Sequence, residues 1–287
     1  MPISRRTFLK SIGVAAGALG AAPLLAACGE GGGIPSGNPT LSVIIASFET
    51  LTGDQRPVAF GLRTVDNEEV ADAVVEVWLR EVGGDVLGGP FPAEYNPPTE
   101  TGLGVYLSHL DLSESGTVEL VAVTGDTWGP AALNVKTPEQ AEVLAPGEAA
   151  ISTPTPTEAD PLGFSQICTQ DPPCGMHGIS LDEALQESKP IVLIFATPAF
   201  CQTAVCGPAV GTVDGVREAG DWGETIFIHS EIFTDAGQTI GSPVTDWGLP
   251  TEPWLFTIDA SGTIADRLDG PMVASVVEAM ASEIATA

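Results

Sequence analysis

The sequence predicts two domains, an all-β sandwich over residues 41–136 and an α/β mixed sheet over residues 162–287. Three observations carry this. Short runs rich in valine, leucine and aromatics, divided by Gly, Pro, Asp and Asn clusters, fill residues 41–136. Proline, threonine and acids then dominate residues 137–161, TPEQAEVLAPGEAAISTPTPTEADP, which read as a partly extended linker. From Leu162 onward strand-like and helix-like segments alternate. A chain of 287 residues accommodates two domains, and a 44% hydrophobic content supplies both cores.

Residues 1–28 read as an export signal. SRRTFLK is basic, Ile12–Ala27 is small and apolar, and Cys28 follows. The apolar run is shorter than the ~20 residues of a membrane-spanning helix. Arg5-Arg6 with Thr7-Phe8-Leu9-Lys10 looks like a twin-arginine motif, and Leu25-Ala26-Ala27-Cys28 resembles a lipobox, in which the cysteine is lipidated. Together they imply an exported lipoprotein, anchored at the outer face of the cytoplasmic membrane through lipid on Cys28. Residues 29–40 then form a flexible tether.

Three of the ten basic residues lie in the signal, and all 38 acidic residues follow it. That balance excludes nucleic acid as a partner, since phosphate backbones demand basic patches. It also repels anionic lipid surfaces, so membrane attachment falls to the lipid. An acidic surface with three lysines in the whole chain suits a saline habitat.

In residues 41–136 the runs LSVIIASF, PVAFGLRTV, AVVEVWLREV, LGVYLSHL, TVELVAVT and AALNVK are the predicted strands. Val75, Val77 and Leu79 are expected on one face and Val74, Glu76 and Trp78 on the other. Such strands at this spacing resemble an immunoglobulin-like sandwich in architecture, although no internal cysteine pair accompanies them. His109 stands alone and reads as a surface or core histidine.

In residues 162–287, SLDEALQES carries a capping-box pattern, Ser180 with Glu183. PIVLIF is a strand buried on both faces. Residues 203–219 form a helix with Thr203 as candidate N-cap. ETIFIHSEIF is a further strand, PWLFTID and TIADRLDG form a hairpin, and Pro271–Ala285 closes the chain as an amphipathic helix.

This order resembles the thioredoxin superfamily over roughly residues 175–287, about two-fifths of the chain. PIVLIFATPAFC resembles the first core strand running into the active-site turn, with Cys201 in the place of the attacking cysteine. Cys206-Gly207-Pro208 resembles a displaced echo of the turn. LPTEPWLFTIDASGTIADRLDG resembles the segment carrying the cis-proline, with Pro253 its best match. The resemblance implies a thiol–disulfide oxidoreductase acting on protein thiols and disulfides, recharged by an unknown electron donor and needing no cofactor. Glu252 would offer backbone hydrogen bonds to a substrate strand, and Phe200 replaces the tryptophan before the first cysteine. Phe195 stands where some thioredoxins carry a buried acid. Glu231 or His229 could substitute, although an edge or surface pair is the plainer reading.

The C-x4-C step makes a demand. Residues five apart in a regular helix have Cα atoms about 8.6 Å apart, beyond the ~7 Å reach of a disulfide. Cys201 must therefore precede the helix and Cys206 lie in its first turn, where the helix N-terminus favours a thiolate. Outside the cytoplasm thiols are oxidised, redox-active or metal-bound. Cys168, Cys174, Cys201 and Cys206 allow three pairings, and spacing favours a structural Cys168–Cys174 disulfide. Three alternatives stay open. A Cu(I)-binding metallochaperone-like protein would draw on Cys168, Cys174, Met176 and His177 or on Cys201 and Cys206. A peroxiredoxin-like peroxidase would use Cys206. A non-catalytic lipoprotein would hold only structural disulfides.

Overall fold

Side chains alternate between buried and part-exposed positions along residues 75–80. The computed structural model describes residues 33–98, 104–200 and 206–286, except the side chains of Cys206 and Gly207. The signal, Cys28, Cys201 and Thr203 lie outside the described residues. No helix among the described residues is long and apolar enough to cross a membrane.

The first eight strands are β1 (Leu41–Ile45), β2 (Thr50–Leu51), β3 (Gly53–Thr64), β4 (Val75–Glu81), β5 (Val86–Asn96), β6 (Val105–Leu112), β7 (Gly116–Thr124) and β8 (Thr127–Lys136). They form one sheet in the order β1-β3-β6-β5-β4-β7-β8-β2. All neighbours are antiparallel except β2 and β8. The sheet curls until β1 meets β8, where the Thr40 N–H donates to the Trp128 carbonyl over 2.8 Å. A side chain at Gly129 would strike the Leu41 carbonyl there, so only glycine permits the approach. Val75, Val77 and Leu79 face the core with Phe60, Tyr106, Leu110 and Leu120, while Val74 is exposed. His109 is exposed.

The region is all-β as expected, with eight strands in one curled sheet instead of the six predicted runs. The two added strands are the short β2 and β5, and β5 contains Gly88, Gly89, Pro90 and Pro92, the composition of a turn. It holds its place by a bulged register against β4, and the Pro92 carbonyl accepts from the Ser108 hydroxyl at 2.9 Å.

The expected linker is extended but packed. Val143 is buried with Leu181 and Ile264, and Thr153, Thr155 and Thr157 are buried too. Its backbone pairs with the final hairpin, the Ala150 N–H donating to Gly262 and the Ile264 N–H to Glu148. Residues 137–180 thus form a strap with one short 3-10 turn, Pro138–Gln140.

Beyond the strap come α1 (Leu181–Ala184), β9 (Ile191–Phe195), α2 (Cys206–Ala219), β10 (Ile226–Ser230), α3 (Ser242–Asp246), β11 (Trp254–Ile258), β12 (Ile264–Asp269) and α4 (Ala274–Ala285). The sheet order is β10-β9-β11-β12. β9 and β10 are parallel, and β11 runs antiparallel to both its neighbours. Val192, Ile194 and Leu255 pack on α2 and α4, whereas Ile191, Leu193, Phe195 and Phe256 pack on α1, α3 and the strap. All five residues of β9 are buried, as the run PIVLIF predicts. The capping box does not form. The Ser180 hydroxyl accepts instead from the Thr155 amide at 2.8 Å, which fastens the strap.

β12 joins the two sheets. The Arg267 guanidinium binds Glu49 at 2.6 Å and the Val143 carbonyl at 2.6 Å, and Arg56 binds Asp266 at 3.1 Å. Asp269 accepts from the Phe48 and Glu49 amides. Gly270 follows with a left-handed φ of 71°, and a side chain there would strike the Ala46 carbonyl.

Candidate functional site at the carboxyl end of β9

Two strands meet where β9 ends. β9 delivers the chain to Ala196 and Thr197, Trp254 of β11 pairs with Phe195, and the described part of α2 is Cys206–Ala219. Pro253 therefore lies beside the end of β9. It is buried, and the Glu252–Pro253 peptide is cis, as the sequence comparison with thioredoxins implied. Cys206 lies in the described part of the helix, and the residues before it, Cys201 included, lie outside the described residues. Phe200 is half-buried, its ring 6.3 Å from that of Phe233, and it lies against Gly237.

Glu252 does more than its backbone role predicted. Its side chain turns inward and accepts from the Thr197 amide at 2.8 Å. Burial, assisted by the Glu231 charge, pushes its carboxyl up to about 7, against the pull of the Thr197 amide and His229. An acid therefore stands at the head of the turn, although Phe195 occupies the strand position where one was sought.

Glu231 and His229 are fully buried, which corrects the surface part of their reading as an edge or surface pair. β10 is an edge strand, but the strap covers its edge, and the His229 amide donates to the Met176 carbonyl at 3.0 Å. Glu231 accepts from the amide and hydroxyl of Thr169 at 3.0 and 3.2 Å, and the Thr169 hydroxyl accepts from the Ala199 amide at 3.0 Å. Burial holds the Glu231 carboxyl above its ordinary range, opposed by His229 and Thr169.

Cys168 and Cys174 are free thiols with sulfurs 3.6 Å apart, not the disulfide that their spacing suggested. His177 Nε2 and His229 Nδ1 each lie 3.3 Å from the Cys174 sulfur, and the four ligand-type atoms lie within 4.8 Å of one another. The thiol of Cys174 donates to Cys168 and holds it toward the thiolate against the cost of burial. The same hydrogen bond, with burial, holds Cys174 as the thiol. Met176 lies in the apolar core beside the pair. The metal set expected from sequence therefore differs in membership. Cys168, Cys174 and His177 come together with His229, a residue contributed by β10.

Sequence reasoning missed the inward turn of Glu252 and the fourth donor, His229. The available signal was a histidine and a glutamate inside IFIHSEIF, a run otherwise suited to complete burial.

No protein-family model and no curated protein matches the chain. Among solved structures, the crystal structure of the Lin-41 filamin domain aligns at 17% identity, covering 34% of this chain and 93% of that chain, with a TM-score of 0.23. At that score the likeness carries no argument.

Proposed function

We propose that this chain is an exported, lipid-anchored thiol–disulfide oxidoreductase, with a thioredoxin-like C-terminal unit and an immunoglobulin-like N-terminal one. The observation that carries it is Pro253 beside the end of β9 in the sheet β10-β9-β11-β12, with Cys206 in the helix that follows β9. In this reading the Cys201 thiolate attacks a substrate disulfide and expels one substrate thiolate. Cys206, ionised by the helix N-terminus, then attacks Cys201 and releases the second. Two electrons pass to the substrate, and Cys201–Cys206 becomes a disulfide that an external dithiol reduces. Glu252 is the proton acceptor we assign for the Cys201 thiol.

The test is insulin reduction with dithiothreitol as donor. The full chain is expected to accelerate it, and Cys201→Ser to abolish the acceleration. Failure of the wild type to exchange with any dithiol removes the proposal, and peroxide turnover dependent on Cys206 replaces it with the peroxidase.

Glu252 gives a second, pH-dependent expectation. Its carboxyl is raised to about 7 by burial. A raised acid contributes its stability below the unfolded value near 4.5 and loses it as pH rises through about 7. Glu252→Gln is therefore expected to leave the melting temperature nearly unchanged at pH 4.5 and raise stability at pH 8. The gain is about 1–2 kcal/mol, discounted for partial exposure. An equal effect at both pH values contradicts the assignment.

A further inference from the structure

We propose that Cys168, Cys174, His177 and His229 form a closed four-coordinate site for a thiophilic d10 cation, and that the cation is Zn(II). The proposal is independent of the dithiol reading, since it uses neither Cys201 nor Cys206.

Geometry comes first. The sulfurs are 3.6 Å apart and each imidazole nitrogen is 3.3 Å from Cys174. A tetrahedral zinc ion with ordinary Zn–S and Zn–N bonds needs edges of about 3.8 Å between sulfurs and about 3.5 Å between sulfur and nitrogen. The three measured edges come within a few tenths of an ångström of those values, and all four donor atoms lie within 4.8 Å of one another.

The ligand atoms are also prepared. His229 Nε2 donates to the Ala196 carbonyl at 3.0 Å, which leaves the Nδ1 lone pair facing the sulfurs. His177 is 3% exposed, and its Nδ1 is buried with no partner, so Nε2 carries the ring's polar engagement. Cys168, Cys174 and His229 are 8%, 7% and 0% exposed. Without a cation, two thiols and two imidazoles lose water in exchange for weak sulfur contacts, an expensive arrangement. A cation converts all four into strong bonds.

Charge selects the ion. Two thiolates and two neutral imidazoles cancel a divalent cation. A monovalent one leaves a net negative charge buried at the site, on the side of the His229 ring opposite the Glu231 carboxylate, which lies 3.9 Å from Nε2. Cu(I) is therefore the poorer occupant. The site has no open position among these buried donors, which is the signature of a structural zinc rather than a catalytic one. Its work is a cross-link. Three ligands come from the strap between residues 168 and 177, which has no helix or strand there, and the fourth comes from β10.

The full chain, purified in detergent and stripped with chelator under reductant, is titrated with Co(II) and then Zn(II). One equivalent of Co(II) is expected to give the intense visible bands of a tetrahedral site with sulfur charge transfer, bleached by one equivalent of Zn(II). Cys174→Ser or His229→Ala should weaken Zn(II) at least about 100-fold, whereas Cys201→Ser and Cys206→Ser leave it unchanged. Should those ligand variants fail to fold, Cys174→His keeps four donors and is expected to retain one Zn(II). Absence of the Co(II) spectrum overturns the site. Loss of Zn(II) in Cys201→Ser does so too, as does a Cys168–Cys174 disulfide in the untreated protein. Retention of Cu(I) against excess Zn(II) overturns the choice of ion.

Discussion

Arg267→Ala is expected to destabilise the protein by about 3–5 kcal/mol, the cost of breaking a buried ion pair from one side. Arg267 is 3% exposed, and its guanidinium binds Glu49, the Val143 and Leu144 carbonyls and the face of Trp254. Removing it strands two strap carbonyls and a carboxylate that is largely buried. Burial raises the Glu49 carboxyl, but Lys136, the Glu142 amide and Arg267 together hold it below its ordinary value. The melting temperature should fall by about 10 °C for a unit of this size. Arg267→Lys is expected to recover only part of that, since an ammonium cannot span the same acceptors. A drop below about 2 °C for the alanine variant means that the eight-stranded sheet, the strap and β12 are not joined through this group.

The second large effect concerns activity. Cys206→Ser is expected to arrest the reaction at the mixed disulfide, because the resolving thiol is gone while the attacking one remains. Incubated with an oxidised protein substrate, it should accumulate a covalent adduct through Cys201 that dithiothreitol dissolves. Cys201→Ser should form no such adduct. An adduct that forms equally through Cys206 reverses the two roles, and no adduct with either variant removes the exchange chemistry.

Much of this architecture was legible, and the exceptions share a cause. Val75, Val77 and Leu79 alternate with less buried neighbours, and PIVLIF is continuous, so their burial follows from local pattern. β5 was hidden because Gly88, Gly89, Pro90 and Pro92 have turn chemistry, and only β4 and β6 on either side make them a strand. Ser180 and Glu183 have capping-box spacing, yet a partner from the strap, Thr155, takes the hydroxyl. The same holds at the site. That Cys206 falls in a helix was readable from a strand followed by a helical pattern. The inward carboxylate of Glu252 depends on the end of β9 lying beside β11. His229 reaches Cys174 across 55 positions of chain, only because the strap covers β10. Residues that meet through tertiary pairing leave no periodic trace.

The most direct measurement of the central claim is a thiol count on the full chain in a chelator, before and after mild reductant. The account predicts a Cys201–Cys206 disulfide in the air-exposed protein that opens under mild reductant and re-forms on contact with an oxidised substrate. A Cys201–Cys206 bond that survives the reductant would contradict it and make the pair a structural staple.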